Sequence, residues 1–406
     1  MDFNVLILGT DANAYYMARC YHEIYGTKAP LLGKSPLPFT SLSDILTVTY
    51  DEGIWEEEGF LRAIYRCKKD LGDKPMLLIS SNETYAGFIA ANRTQLLADG
   101  FLFNYPEKRI IDSLMYKESF YRTYESSVLS LPKTYFYDCA DPGEIPGDFS
   151  FPVIVKPSNV ILYNHLSFEG KNKIYKVYTQ EELVQTVKSV ISGGYNDCLI
   201  LQDYIPGDDS YLFDAVAYCD KNGKLKMLSF AQIGLQEHSR AMVGNAAVVI
   251  NGRNPFGKTE EITCAIKDFL EGIGYCGFAE FDLKYDKRDG KFKVLEINAR
   301  QGRCSYYICP LGCNPVKMLI DDIIYDNLPD YGLLKEEVLL SFVPKTILKK
   351  YIQNKDYRDH ALRLWKKGHA NPLCYSKDNG LKRRLYLVRR AIRYYRDYAN
   401  GYWRAD

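Results

Sequence analysis

Long apolar runs are missing from this 406-residue chain: none approaches the roughly 20 residues that a membrane-spanning helix needs. No basic segment precedes the short apolar stretch of MDFNVLILGT, so the beginning reads as a first β-strand and not as a secretion signal. A cytoplasmic protein is the expectation. The 11 cysteines include no CxxC pair. Their odd number and the apolar surroundings of Cys20, Cys198 and Cys276 point to buried free thiols, not to disulfides or zinc. A GxGxxG fingerprint is also missing, since the opening turn reads GTDANA, and a dinucleotide site has little support. Neither internal repeats nor low-complexity segments occur.

Hydrophobic residues at 47% and charged residues at 25% are ordinary for a globular protein, and the length allows two or three domains. Charge is unevenly spread. Residues 341–406 hold 17 Lys and Arg against 5 Asp, a net of +12, which leaves the first 340 at −11 in a chain of net +1. The end of the chain is therefore a distinct electrostatic unit.

A strand over 5–9 followed by a helical pattern over 12–25 opens an α/β domain. The apolar run 76–79 repeats the strand, and its polar continuation Ser80-Ser81-Asn82-Glu83-Thr84 falls where open α/β sheets bind ligands. Asn82 and Glu83 are thus candidate substrate residues, although loop polarity alone also explains them. A helix is expected over 113–126, broken by LPKT at 131–134. Strands resume at 151–156, and β and α segments alternate as far as Asp322. Pro329, Asp330 and Gly332 mark a boundary after Asn327.

The richest stretch is VLEINARQGR, 294–303. Glu296 and Asn298 stand two residues apart in a strand-like context, so their side chains point the same way. Upstream, GFAEFDLKYDKRDGKFKVLEINAR reads as a hairpin turning at Asp286 to Gly290, which brings Asp282 roughly opposite Glu296 and Asn298. Three oxygen ligands of this kind suit magnesium, with water and phosphate filling the other positions. Acids on a surface hairpin are usually only solvated, but these interrupt apolar strands. Glu280 shares the alternation of Asp282. Arg300 and Arg303 follow as phosphate or carboxylate partners.

In FPVIVKPSN, Lys156 ends an apolar strand where a charged amine is costly unless an anion meets it; the alternative is a lysine reaching solvent. Lys117, in SLMYKESFY, would alone be taken as solvated. The polar segment 158–173, with His165, Gly170 and Lys171, could close over phosphates; His165 reads as a loop or packing residue. In LILQDYIPGDDSY, Gln202 and the backbone near Tyr204 could read adenine, and Asp209 could accept ribose hydroxyls.

Taken in order, Lys117, VKPSN, FEGKNKIYKV, LQDYIPGDDS, FDLKYDKRDGKFKVLEIN and RQGR resemble the ATP-grasp carboxylate-amine ligases, in particular the D-aspartate ligases of bacterial peptidoglycan synthesis. The resemblance covers about residues 1–325. It implies an α/β (α+β) ATP-grasp fold with a Rossmann-like domain over 1–112 and an ATP-grasp domain over 113–328, split into a lid (about 113–204) and a catalytic part (about 205–328). A basic, aromatic-rich helical extension would span 329–406. It further implies that Lys117 and Lys156 contact ATP phosphates, that Gln202, Asp203, Tyr204 and Asp209 serve the adenosine, and that Asp282, Glu296 and Asn298 hold Mg2+. Arg300 would bind transferred phosphate or substrate carboxylate, with Arg303 as companion. The hinge usually carries glutamate where this chain has Gln202 or Asp203, which leaves the adenine reader open.

The reaction so implied activates the side-chain carboxylate of D-aspartate as an acyl phosphate and passes it to the lysine amine of a UDP-muramyl pentapeptide. Another ATP-grasp amino-acid or dipeptide ligase, or a nucleotide-binding scaffold without catalysis, are the alternatives. In the tail, 381–399 places Leu381, Leu385, Val388 and Ile392 on one helical stripe, with Lys382, Arg383, Arg389, Arg390, Arg393 and Arg396 around it. Such a helix lies on an anionic inner-membrane face or packs its stripe against its own protein. Nucleic acid is not expected, because no RNA or DNA module surrounds the charge.

Overall fold

The computed structural model describes residues 2–239, 242 and 244–401, the side chains of 160 and 161 excepted. Residues 402–406 of the basic extension lie outside it. The chain forms two compact units: a larger one of residues 1–111, 207–282 and 297–406, and a smaller one of 112–206 and 283–296.

The larger unit begins with strands β1 (Asn4–Leu8), β2 (Ala29–Gly33), β3 (Leu46–Tyr50), β4 (Met76–Ser80) and β5 (Phe101–Leu102), all parallel in the order β3-β2-β1-β4-β5. Both strands expected here are present, and so is the helix Ala12–Tyr25. Asp11 starts that helix by accepting a bond from the Ala14 amide at 2.9 Å, and Gly26 ends it at φ 66°, a conformation that costs glycine little.

In the smaller unit, β6 (Thr134–Asp138), β7 (Val153–Pro157), β8 (Tyr175–Val177) and β9 (Cys198–Asp203) form an antiparallel sheet in the order β6-β9-β7-β8. The helix Gln180–Ser192 adds Leu183, Val187 and Val190, one helical stripe, to a core with Val153, Val155, Leu199 and Leu201.

A second sheet comprises β10 (Leu212–Cys219), β11 (Leu225–Ser229), β12 (Ala231–Gln236), β13 (Ala246–Asn251), β14 (Gly277–Asp286), β15 (Lys291–Asn298), β16 (Gly332–Leu334) and β17 (Val338–Ser341). Its order is β15-β14-β10-β12-β13-β17, with β11 beside β10 and β16 beside β11. The expected hairpin is β14 and β15: the Gly290 amide donates to the Asp286 carbonyl at 2.8 Å, and Gly290 sits at φ 68°. The division between units passes through both strands, after Asp282 and after Glu296.

Three local expectations differ from the structure. The helix over 113–126 is two helices, Lys108–Met115 and Lys117–Tyr124, interrupted by an extended Tyr116. The apolar stripe of the first, Ile110, Ile111 and Leu114, would continue onto charged Lys117 and Glu118, so the chain breaks and resumes with Phe120, Tyr121 and Tyr124 inward. The polar segment after Ser158 contains a helix, Val160–His165, started by Asn159, whose side chain accepts from the Leu162 amide at 3.0 Å. Finally, the chain after the boundary at 327–332 first returns to the larger unit's sheet: β16 pairs with β11 and β17 with β13. Asn251 fastens this return, donating to the carbonyls of Leu334 at 3.0 Å and Glu336 at 2.8 Å.

The rest of the extension is helical, ending in Leu381–Ala399. Its Tyr394 and Tyr398 join one continuous core with β1, β13 and β17. The cysteines are free thiols, and among the described residues no helix is long and apolar enough to cross a membrane.

Candidate active site

In the larger unit, polar residues gather at the carboxyl ends of β1 and β4. Asn82 caps the helix Glu83–Ala91, its Oδ1 accepting from the Tyr85 amide at 3.0 Å, so its side chain serves the helix first. That cap fixes Glu83 in the first turn, where its carboxylate meets Arg300 Nε at 2.7 Å. A second carboxylate, Glu280, receives Arg300 Nη1 at 3.0 Å. The guanidinium is thereby held between an acid from the helix that follows β4 and one from β14, while Nη1 also donates to the Gln301 carbonyl at 3.0 Å. Gly302 makes room for this clamp, because a Cβ there would stand 1.4 Å from the Glu280 carboxylate. Asn13 completes the link by donating to the carbonyls of Ser81 at 2.9 Å and Gln301 at 3.1 Å.

Sequence reading missed two members of this cluster, Asp11 and Asp214. Asp11 doubles as a helix cap, which hides it among ordinary N-cap residues. Asp214 breaks the apolar run of β10, the one signal that could have marked it. Burial raises the carboxyls of Asp11, Glu280 and Asp214, the last to about 8, and Arg300 opposes each rise. Asp214 accepts from the Tyr307 hydroxyl at 2.6 Å. Two of these acids, Glu83 and Glu280, contact the guanidinium, and burial favours the neutral form of Asp11, Glu280 and Asp214.

Asp282 and Asn298 belong to this unit and Glu296 to the smaller one. All three are half-buried and alternate with the buried Phe281, Leu283, Ile297 and Ala299, the pleat expected of them. Asn298 turns its amide nitrogen toward Glu280 at 3.5 Å, which leaves its oxygen as the donor atom for a cation.

Arg303 goes elsewhere. It donates to Glu237 at 2.9 Å and to the Ala246 carbonyl at 2.7 Å, and it lies over the Phe342 ring. The structure thus separates the two arginines that sequence grouped together. Asp209 is also engaged inside the unit: Gln236 donates to it through its backbone at 2.8 Å and its side chain at 2.7 Å. It borders a cavity of about 270 Å³ lined also by Ser210, His238, Lys350, Tyr351 and Tyr398.

In the smaller unit, Lys156 stands one residue before the end of β7 with its stem half-buried and its ammonium enclosed. The amine donates to neutral oxygens, Gln202 Oε1 at 3.0 Å and Tyr121 Oη at 3.5 Å. Burial first, and then the charge of Lys117, pull its pKa down to about 7, against the attraction of Glu296. Lys117 itself pairs with Glu296. Two lysines sharing one carboxylate fit a site made for a further anion, and a phosphate oxygen would meet that need.

Gln202 is committed at both ends of its amide, accepting from Lys156 and donating to Thr134 Oγ1 at 2.8 Å. The Asp203 amide donates to the Lys133 carbonyl at 3.0 Å and the Tyr204 amide to the Pro152 carbonyl at 3.2 Å. The Tyr204 ring lies under the amines of Lys176 and Lys284, a positively framed aromatic face. His165 is exposed, in keeping with a loop residue. Lys171 donates to the carbonyls of Asn164 and Leu166, folding the segment back on itself.

Several solved enzyme structures share the fold. A crystal structure of an L-amino acid ligase from Bacillus licheniformis aligns at TM-score 0.55 and 17% identity, covering 79% of this chain and 73% of that one. The ADP complex of N5-carboxyaminoimidazole synthetase from Staphylococcus aureus aligns at TM-score 0.59 and 14% identity, covering 87% and 86%. The biotin carboxylase domain of the Hydrogenobacter thermophilus 2-oxoglutarate carboxylase, solved with MgADP, aligns at TM-score 0.58 and 16% identity, covering 79% and 69%. No protein-family model matches. In sequence, the D-aspartate ligase of Enterococcus faecium (strain Aus0004) is 32% identical over 400 residues, 95% of this chain and 93% of that protein. The chain belongs to the D-aspartate ligase family, a group of ATP-grasp carboxylate-amine ligases.

Proposed function

We propose that this ATP-dependent ligase joins the side-chain carboxylate of D-aspartate to the lysine amine of a UDP-muramyl pentapeptide, working in the cytoplasm. The observation that supports nucleotide chemistry best is the enclosed Lys156 amine, bonded to neutral oxygens beside Lys117. The likeness over nearly the whole of a D-aspartate ligase supports the choice of donor.

In this reading Lys117 and Lys156 bind the phosphates of ATP, and Tyr204 gives the base an aromatic face. Gln202 holds Lys156 in place with its side chain, while Asp203 and Asp209 shape the backbone around the adenosine. Asp282, Glu296 and Asn298 would hold Mg2+, which supplies charge neutralisation on the transferred phosphoryl group. Arg300, fixed by Glu83 and Glu280, presents a guanidinium to the donor carboxylate or the transferred phosphate. Glu83 and Glu280, two acids on one guanidinium, together with Asn82 at the sheet end would receive the ammonium of an amino acid. Arg303 supports the site through its bonds to Glu237 and Ala246.

A carboxylate oxygen of D-aspartate attacks the γ-phosphorus as the bond to ADP breaks. The acceptor amine then attacks the acyl carbon, the C–N bond forms, and inorganic phosphate leaves with the former carboxylate oxygen. Positioning and electrostatic stabilisation carry such transfers. The test is phosphate release from ATP and magnesium with D-aspartate, L-aspartate and other amino acids, each with and without the pentapeptide. Release that requires both D-aspartate and the pentapeptide is expected. Release with another donor or acceptor would overturn the substrate assignment.

A further inference from the structure

The last helix is fixed to the larger unit by the side that looks least suited to burial. Arg383 is buried against Asp378 at 3.1 Å, donates to the Phe39 and Leu373 carbonyls, and lies over the Tyr15 ring. Tyr394 donates to Glu237 at 3.1 Å, and Arg390 stands near the same carboxylate. The aliphatic stripe faces the opposite way: Leu381 is 83% exposed, Leu385 50%, Val388 56% and Ile392 62%, and Tyr395 extends the row. These positions recur every three or four residues over the 19-residue helix, so they make one continuous strip.

Exposed cations border the strip, namely Lys382, Arg384, Arg389, Arg393 and Arg396. Asp397, which pairs with Arg393 and Arg396, is the only acid in the helix. A bond between Thr346 and Tyr395 sets the helix Lys345–Tyr351 alongside, and its Lys345 and Lys349 are exposed as well. An aliphatic strip inside a cationic border matches the boundary of a bilayer, where apolar side chains enter the acyl region and cations meet anionic headgroups. A second copy of the chain would bring the same positive border and repel it.

We propose that helix Leu381–Ala399 is a docking surface for a membrane of anionic phospholipid, with Leu385, Val388 and Ile392 entering the headgroup boundary and Arg389, Arg393 and Arg396 on the phosphates. The surface is rigid, since the buried side of the helix is already bonded to the larger unit. It does not depend on which amino acid the enzyme joins.

Flotation of the full chain with phosphatidylcholine vesicles, with and without phosphatidylglycerol, tests the inference. Binding is expected at low salt with phosphatidylglycerol, lost in high salt and without the anionic lipid. Leu385→Gln/Val388→Gln/Ile392→Gln should lower the bound fraction about tenfold while the circular dichroism and Tm stay unchanged, because these side chains stand in solvent. Arg389→Gln/Arg393→Gln should lower it by a similar factor. Failure of the wild-type chain to float at low salt would overturn the proposal. So would binding indifferent to the triple substitution, or a wild-type dimer in gel filtration that the triple variant dissociates without any vesicle binding.

Discussion

The two units carry polar centres of opposite character. In the smaller one, Lys117 and Lys156 crowd together with Glu296 as their acid, and burial holds the Lys156 amine near the edge of neutrality. In the larger one, Glu83 and Glu280 hold Arg300 between them, and burial raises the carboxyls of Glu280, Asp11 and Asp214 instead. Under the proposed function the cationic centre would meet the polyphosphate and the acidic one the amino acid. Burial makes charge costly in both centres, on Lys156 in one and on Glu280, Asp11 and Asp214 in the other. Ligands of matching charge would relieve that cost, so stability and activity measured on the same variants separate a binding role from a structural one.

The sharpest break in the contrast is Glu296→Gln. It removes a proposed metal ligand and the partner of Lys117 while keeping volume, and phosphate release should fall by about 10³ or more with Tm nearly unchanged. Full activity would remove Glu296 from the metal set. Next comes Arg303→Met, which leaves Glu237 buried without its main cation. It should destabilise the larger unit by about 3–5 kcal/mol in urea unfolding, whereas Arg300→Met should lower kcat/KM by about 10² with a smaller loss of stability. If the two variants exchanged these signatures, the separation of the arginines would be wrong.

Lys156→Met should raise the KM for ATP by about tenfold or more, yet leave the protein as stable or more so by about 1–3 kcal/mol, since a poorly compensated buried amine is replaced by an apolar chain. A clear fall in Tm would show that the amine is structural. The smallest effect concerns pH. The folded pKa of Lys156 is lowered to about 7, so its charged form is penalised below its unfolded value, and stability rises with pH from about 7 to 10.5 through this group. A bound anion favours the charged form. ATP should therefore bind with proton uptake between about pH 7 and 9, its affinity falling by less than about tenfold per pH unit. Calorimetry in two buffers of different ionisation enthalpy would detect this, and an equal heat in both would contradict it.

Much of this was legible in the order of residues. The helix Ala12–Tyr25 has its cap, its buried stripe and its terminal glycine within one short stretch, and the β14–β15 hairpin has its Asp-Gly turn between alternating strands. The acids and amide at 282, 296 and 298 follow from the same alternation. Less visible were the break at Tyr116 and the cap at Asn159, both set by single residues in polar surroundings. Asp11 was hidden by its role as a helix cap, and Asp214 showed only as a break in the apolar run of β10, because what couples them to Arg300 is the packing of segments far apart in the chain.

Sequence by itself determined the local elements, the family likeness and the alternation that turns Asp282, Glu296 and Asn298 away from the buried side of their strands, because periodicity, caps and turns act between residues close in the chain. Tertiary structure decided the rest. Arg300 and Arg303 lie three residues apart, yet one faces acids at 83 and 280 and the other an acid at 237. The last helix offered an apolar stripe for burial and buries Arg383 instead, since Asp378, two backbone carbonyls and the Tyr15 ring are there to receive it. A charge goes inside only where distant segments supply its partners, and no local pattern records where those partners are.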